Sequence, residues 1–169
     1  MDKSTNKQQD KHVGLYDSFV AKAHEVFVDG RDKTREAMQS AIEKAREQMT
    51  TLGELSSEQG KQFQRYMQRD LEQIARYFRD VGEEAKDQLQ PARMSAGALA
   101  TMSVLLHKCS DALLQLSIKA EAAITYRAGE LTSAGTLTCT QCALTREFST
   151  TSYIQRCPSC HNDTFMKSH

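Results

Sequence analysis

The sequence predicts a mainly α protein, a long antiparallel helical hairpin or three-helix bundle followed by a small C-terminal β unit. Two observations carry that expectation. Apolar residues recur every three or four positions from about residue 13 to about residue 126, the period of helices that bury one face. Beyond residue 128 the period stops, glycine, threonine and serine become dense, and two Cys-x-x-Cys pairs appear. The chain divides accordingly into a disordered tail at 1–12, a helical, coiled-coil-like domain at 13–128 and a cysteine-bearing unit at 129–169.

Charge limits the partners. The 169 residues carry 22 Lys plus Arg and 22 Asp plus Glu, and the balance is kept locally, with three of each sign in residues 130–169. Nucleic-acid binding draws on clustered cations that release counterions from phosphate, so an evenly neutral chain disfavours it. The start, MDKSTNKQQDKH, lacks the apolar run of a secretory signal, which points to a cytoplasmic protein. The longest weakly polar run, residues 94–106, is too short and too rich in hydroxyls to span a bilayer.

Residues 1–12 show no apolar periodicity and read as tail. Phe19, Ala23, Phe27, Thr34, Met38, Ile42, Ala45, Met49 and Leu52 then fall on one stripe of a single long helix, with Gly30 as its weak point. Gly53 suits a left-handed C-terminal cap, and Ser56 with Gln59 forms a capping box for the next helix. That second helix sets Phe63, Met67, Leu71, Ile74, Phe78 and Val81 on one side, with Arg65, Arg69, Asp70 and Glu72 among the charges covering the rest. The short connection makes the two helices antiparallel neighbours. Pro91 marks a second corner. A third helix runs to about Tyr126, with Leu99, Met102, Leu106, Cys109, Leu113, Leu116, Ala120 and Ala123 on a heptad seam.

The C-terminal motif is Cys139-Thr140-Gln141-Cys142, an intervening stretch, then Cys157-Pro158-Ser159-Cys160. Each pair can form a knuckle that aims two sulfurs at one ion, and two knuckles complete a tetrahedron. The spacing therefore predicts a small C-terminal β zinc ribbon with one structural Zn²⁺, iron being the lesser alternative for a four-thiolate site. Its strands are expected at 136–138, 144–148, 153–156 and 164–166, with 144–148 and 153–156 forming the return hairpin. A unit so small needs the metal for much of its folding free energy. Four sulfurs leave no open position, so His161 reads as a surface residue and the ion as structural.

Cys109 reads as a small buried hydrophobe, and His12, His24 and His107 have no ligand-like partners at helical spacing. The acidic pairs Glu83-Glu84 and Asp29-Asp32 read as solvated faces, and no phosphate loop or nucleophile constellation is evident, which points away from an enzyme. Phe148, Tyr153 and Phe165 are expected as the minimal core of the ribbon.

Having Gly53-Glu54-Leu55-Ser56, then Arg69-Asp70-Leu71-Glu72, then Gly129-Glu130-Leu131, Gly135-Thr136-Leu137-Thr138-Cys139 and Cys157-Pro158-Ser159-Cys160 in that order, with an aromatic at Phe165, the chain resembles the bacterial YbeL-like family of zinc-ribbon proteins. The resemblance implies a soluble bacterial protein with a helical N-terminal region and a C-terminal zinc ribbon, and it implies no particular activity. The chain departs from common ribbons in carrying Ala143 and His161 where glycine often follows a knuckle.

The functional expectation is a non-enzymatic protein-interaction or regulatory adaptor, with protein partners and a possible homo-oligomer through the helices. One alternative is a nucleic-acid-associated ribbon using Arg146, Arg156 and Lys167, and another is a zinc-thiolate redox sensor.

Overall fold

The computed structural model describes residues 3–31, 34–81 and 124–168. Among these residues three helices, α1 (Lys3–Asp29), α2 (Arg35–Thr51) and α3 (Ser57–Val81), precede six short strands: β1 (Thr125–Arg127), β2 (Leu131–Thr132), β3 (Gly135–Cys139), β4 (Thr145–Phe148), β5 (Ser152–Tyr153) and β6 (Thr164–Ser168). Among the described residues the architecture is thus mixed, three helices and an antiparallel β region, rather than mainly α.

The single helix expected up to Leu52 is two. α1 stops at Asp29, just before Gly30, and the chain restarts on Thr34, which is extended at φ −94° and ψ 169° and accepts the Ala37 N–H on Oγ1 at 3.1 Å. A threonine read as part of the apolar stripe is therefore an N-cap, a role its hydroxyl fills by satisfying a first-turn donor. The segment read as tail is helical from Lys3. Its His12 packs on Phe63 and Tyr153, at ring-centroid distances of 4.8 and 5.7 Å, and is hydrogen-bonded to the Tyr153 hydroxyl. Those contacts come from distant parts of the chain, which local periodicity cannot register.

The turn between α2 and α3 forms as expected. Gly53 lies at φ +75°, and the Glu54 N–H reaches back to the Met49 carbonyl at 3.0 Å. Ser56 and Gln59 close a reciprocal box, the Ser56 N–H donating to Gln59 Oε1 at 3.0 Å and the Gln59 N–H to Ser56 Oγ at 3.2 Å. The expected third helix, with Cys109 and His107, lies outside the described residues except at its end, where Thr125 and Tyr126 belong to β1 instead. Tyr126 is buried between exposed Thr125 and Arg127, the alternation of a strand with one covered face.

Two apolar cores result among the described residues. Tyr16, Phe19, Phe27, Ile42, Met49, Phe63, Met67 and Leu71 fill the helical one, joined by Leu131 from β2. Tyr126, Leu137, Ile154 and Phe165 fill the ribbon, with Cys139 and Cys157 among them. The main sheet has the order β1-β6-β3-β4, all antiparallel, and β2 pairs with β5 in a separate two-stranded ribbon. The expected return hairpin is thereby corrected: β4 pairs with β3, while Tyr153 pairs with Leu131. Tyr153 packs against the helices, so only Phe165 is fully ribbon core, with Phe148 partly buried beside it. No helix among the described residues is long and apolar enough to cross a membrane.

The small β2–β5 pair seats the ribbon on α1 and α3, and a buried polar cluster fixes it there. Asp70, 0% exposed, accepts the Ser133 N–H at 2.9 Å and lies against the Arg69 guanidinium at 3.2 Å. Arg69 also donates to Glu130 Oε2 at 2.6 Å and to the Leu131 carbonyl at 2.5 Å, and stacks 3.9 Å over the Tyr126 ring. Lys167 Nζ donates to Ser133 Oγ at 2.9 Å and to the Ser133 carbonyl at 3.0 Å. Ser133 is thus held from both sides, by an anion on its N–H and a cation on its oxygens.

Candidate metal centre

Each cysteine pair sits in the same backbone turn. In the first, the Ala143 N–H donates to the Cys139 carbonyl at 3.0 Å and the Cys139 N–H to the Leu144 carbonyl at 2.9 Å. In the second, the His161 N–H donates to the Cys157 carbonyl and the Cys157 N–H to the Asn162 carbonyl, both at 2.9 Å. The residue after each second cysteine must turn left-handed to close the knuckle, and Ala143 and His161 do so at φ 58° and 60°. Glycine would reach that region without a Cβ penalty. The departure noted in the sequence is thus a pair of strained turns, one per knuckle.

The two turns bring four sulfurs together. Cys139 Sγ lies 3.5 Å from Cys160 Sγ, Cys142 Sγ lies 3.5 Å from Cys157 Sγ, and all four fall within 4.8 Å of one another. These separations exceed a disulfide bond of about 2.05 Å. They bracket the edge of about 3.8 Å expected for a tetrahedron with Zn–S bonds of about 2.3 Å. The four cysteines are positioned to bind a metal ion, and they form the one such group among the described residues. His161 is exposed and outside it.

The surroundings favour thiolate at Cys139 and Cys157. Burial tends to raise the Cys139 pKa, but the Cys142 and Gln141 backbone N–H groups and the Asn162 side chain outweigh it and bring it to about 6. The Cys160 and Ser159 N–H groups likewise lower Cys157, against a smaller opposing effect of burial. At Cys160 the backbone N–H of Asn162 favours the thiolate, yet burial and the three neighbouring sulfurs prevail and push the thiol up to about 12. Like charges crowded at one point cannot all ionise unaided, and a divalent ion removes that obstacle. The residues present therefore fit a tetrahedral, thiolate-bound ion. Bound there, it would cross-link both knuckles and neutralise part of their charge.

Asn162, absent from the reading of the sequence, supports the cysteine cluster. Its amide donates to Cys139 Sγ at 3.5 Å, to Thr140 Oγ1 at 3.0 Å and to the Thr164 carbonyl at 2.8 Å, so it ties the second knuckle to the first. The spacing of the cysteines points to the sulfurs only; an asparagine two residues beyond the last one is a weak but visible signal. Of the three cations proposed for phosphate, Arg156 is exposed, Arg146 is half-buried and donates to the Gln155 carbonyl at 3.3 Å, and Lys167 turns inward to Ser133.

Searches of the curated proteins and of the solved structures gave no match. A family model described as a zinc-ribbon containing domain matches residues 25–169, taking in α2, α3 and all six strands as well as the four cysteines. The chain belongs to that zinc-ribbon family, DUF1451.

Proposed function

We propose that the protein is a non-enzymatic interaction or regulatory adaptor, built on one structural Zn²⁺ held by Cys139, Cys142, Cys157 and Cys160. The observation that carries the zinc reading is the closed set of four sulfurs, all within 4.8 Å of one another. A catalytic zinc needs a position free for water or substrate, and four protein thiolates fill the tetrahedron. The family's description supports zinc over iron. Elemental analysis of the purified chain tests this directly: one zinc per chain is expected, and a chain without transition metal sinks it.

The adaptor reading draws on the exposed helical surface and on the closed metal site. Cytoplasmic location, bacterial origin and the YbeL-like branch of the family belong to the same proposal. Affinity capture with cross-linking, comparing the wild type with Cys142→Ser, tests it; a partner lost with the ribbon is expected, and an identical capture from both would count against it. A nucleic-acid role is weakened by Lys167, which is committed to the interior. A redox role has one specific support, Cys142, a ligand-set sulfur on an exposed residue. Retention of zinc under mild peroxide would dismiss that reading.

A further inference from the structure

Two strands connect the cysteine cluster to the buried polar cluster on α3. β3 begins two residues after Ser133 and ends in Cys139. β6 begins just beyond Asn162 and carries Lys167 near its other end. The strands pair in register, Cys139 opposite Phe165 and Leu137 opposite Lys167. A third connection runs through Ile154, whose N–H donates to the Glu130 carbonyl at 2.9 Å and whose carbonyl accepts the Gly129 N–H at 2.7 Å, a few residues before Cys157. The groups that grip α3 therefore sit at one end of the same short strands whose other end holds the thiols.

We propose that the ribbon is a clasp on the helical unit, and that its grip depends on closure of the four-thiolate centre. This rests on the metal reading above. With both knuckles closed, β3 and β6 are held in register, which brings Ser133 under Asp70 and Lys167 under Ser133. With the knuckles open, the strands have only a few apolar residues to hold them, because a sheet this small lacks a sufficient core. Lys167 and the Glu130–Ser133 segment then leave α3. Arg69 and Asp70 exchange their ribbon partners for water, His12 loses its Tyr153 cover, and the helical core that Leu131 helps to fill becomes accessible.

The mixed composition of the contact, with buried ions beside Leu131 and Tyr153, suits a reversible grip. A wholly apolar seat would adhere whatever the state of the knuckles, whereas buried ions hold only while each charge meets its partner in good geometry. Gln73, which donates to the Lys167 carbonyl at 3.3 Å, and Thr151, which donates to Asp17 at 2.8 Å, add further directional contacts of the same kind.

The test is hydrogen exchange read by mass spectrometry on the full chain, with bound zinc measured in each sample. Removing zinc with a high-affinity chelator should raise exchange roughly tenfold or more in α3 around Arg69–Gln73 as well as in the ribbon, with helical circular dichroism retained. Asp70→Asn should raise α3 and Ser133 exchange while one zinc per chain remains bound. Glu130→Gln, at a partly exposed position, is a milder second variant with the same expected direction. Unchanged α3 protection after chelation would overturn the clasp, as would loss of helical signal in the same transition, since the centre would then be a global stabiliser. A preparation that never holds zinc instead overturns the metal reading, so the two failures are distinguishable.

Discussion

Ala143 and His161 show how a single backbone angle bears on the metal centre. Both occupy left-handed conformations that cost a side-chain-bearing residue about 1–2 kcal/mol. Glycine would remove that strain but would also make the unfolded chain more flexible, at a cost of about 0.4–1 kcal/mol. The balance favours glycine, so Ala143→Gly and His161→Gly should each stabilise the zinc-loaded protein by about 0.5–1 kcal/mol, read as a raised thermal midpoint at fixed metal. Asn162 acts in the other direction. Its amide donates to Cys139 Sγ and bridges to Thr140 and Thr164, so Asn162→Ala should weaken zinc binding by about tenfold or more in competition with a chromogenic chelator. Cys160 adds a proton linkage. Its thiol is pushed up to about 12 without metal, so binding near neutral pH must release that proton, and apparent affinity should fall as pH falls.

At the scale of elements, Gly135 leaves room for the Lys167 side chain where it crosses the start of β3. It sits at φ +137°, and a Cβ there would come within 2.6 Å of Lys167 Cε. A free lysine would swing aside, but this one is fixed by its bonds to Ser133. Gly135→Ala should therefore cost about 2 kcal/mol or more, seen as a lower urea midpoint with an unchanged slope. The punctuation of the helices was legible where the signal was local: Gly53 ends α2, and Ser56 with Gln59 starts α3, as their residue types require. The break at Gly30–Thr34 was harder to see, because apolar spacing continues across it and Thr34 fits a stripe as well as a cap. Strand β1 was missed for a related reason: three residues of alternation follow directly on a heptad seam, and their strand character comes from pairing with β6. The gathering of the four cysteines was legible, since each Cys-x-x-Cys pair reads locally as a knuckle, whereas strand partners depend on contacts between distant segments.

The whole molecule turns on whether the ribbon and the helices behave as one body, and Asp70 is where that is most exposed to test. The sequence does hold a clue to it: counting from Phe63 and Met67, Asp70 falls at helical spacing on the apolar seam. It reads as surface only because the groups that pair with it, Ser133 and Lys167, come from the other half of the chain. Burial opposes its charge, but Lys167, Arg69 and the Ser133 hydrogen bonds outweigh burial and hold its pKa below the ordinary value of 3.8. Lys167 stands differently: burial lowers its pKa, with Asp70 partly restoring it, so the lysine alone is not a source of stability at neutral pH. For an acid whose folded pKa is depressed, the stabilisation is fully present above the unfolded value and is lost as pH falls through the folded one. Wild-type stability should therefore be insensitive to Asp70 above about pH 4 and decline below it, where the carboxylate takes up a proton. Asp70→Asn removes that titration, leaves Lys167 without its anion and Arg69 with Glu130 alone, and costs about 3–5 kcal/mol at neutral pH. Urea unfolding of both proteins at pH 7, each with one zinc bound per chain, measures this deficit. In the chelated and reduced proteins, where Asp70 faces water in both, the deficit should shrink to about 0.5 kcal/mol or less, the effect of a solvated surface substitution. A deficit of the same size with and without zinc would mean that Asp70 grips the ribbon whether or not the four-thiolate centre is closed.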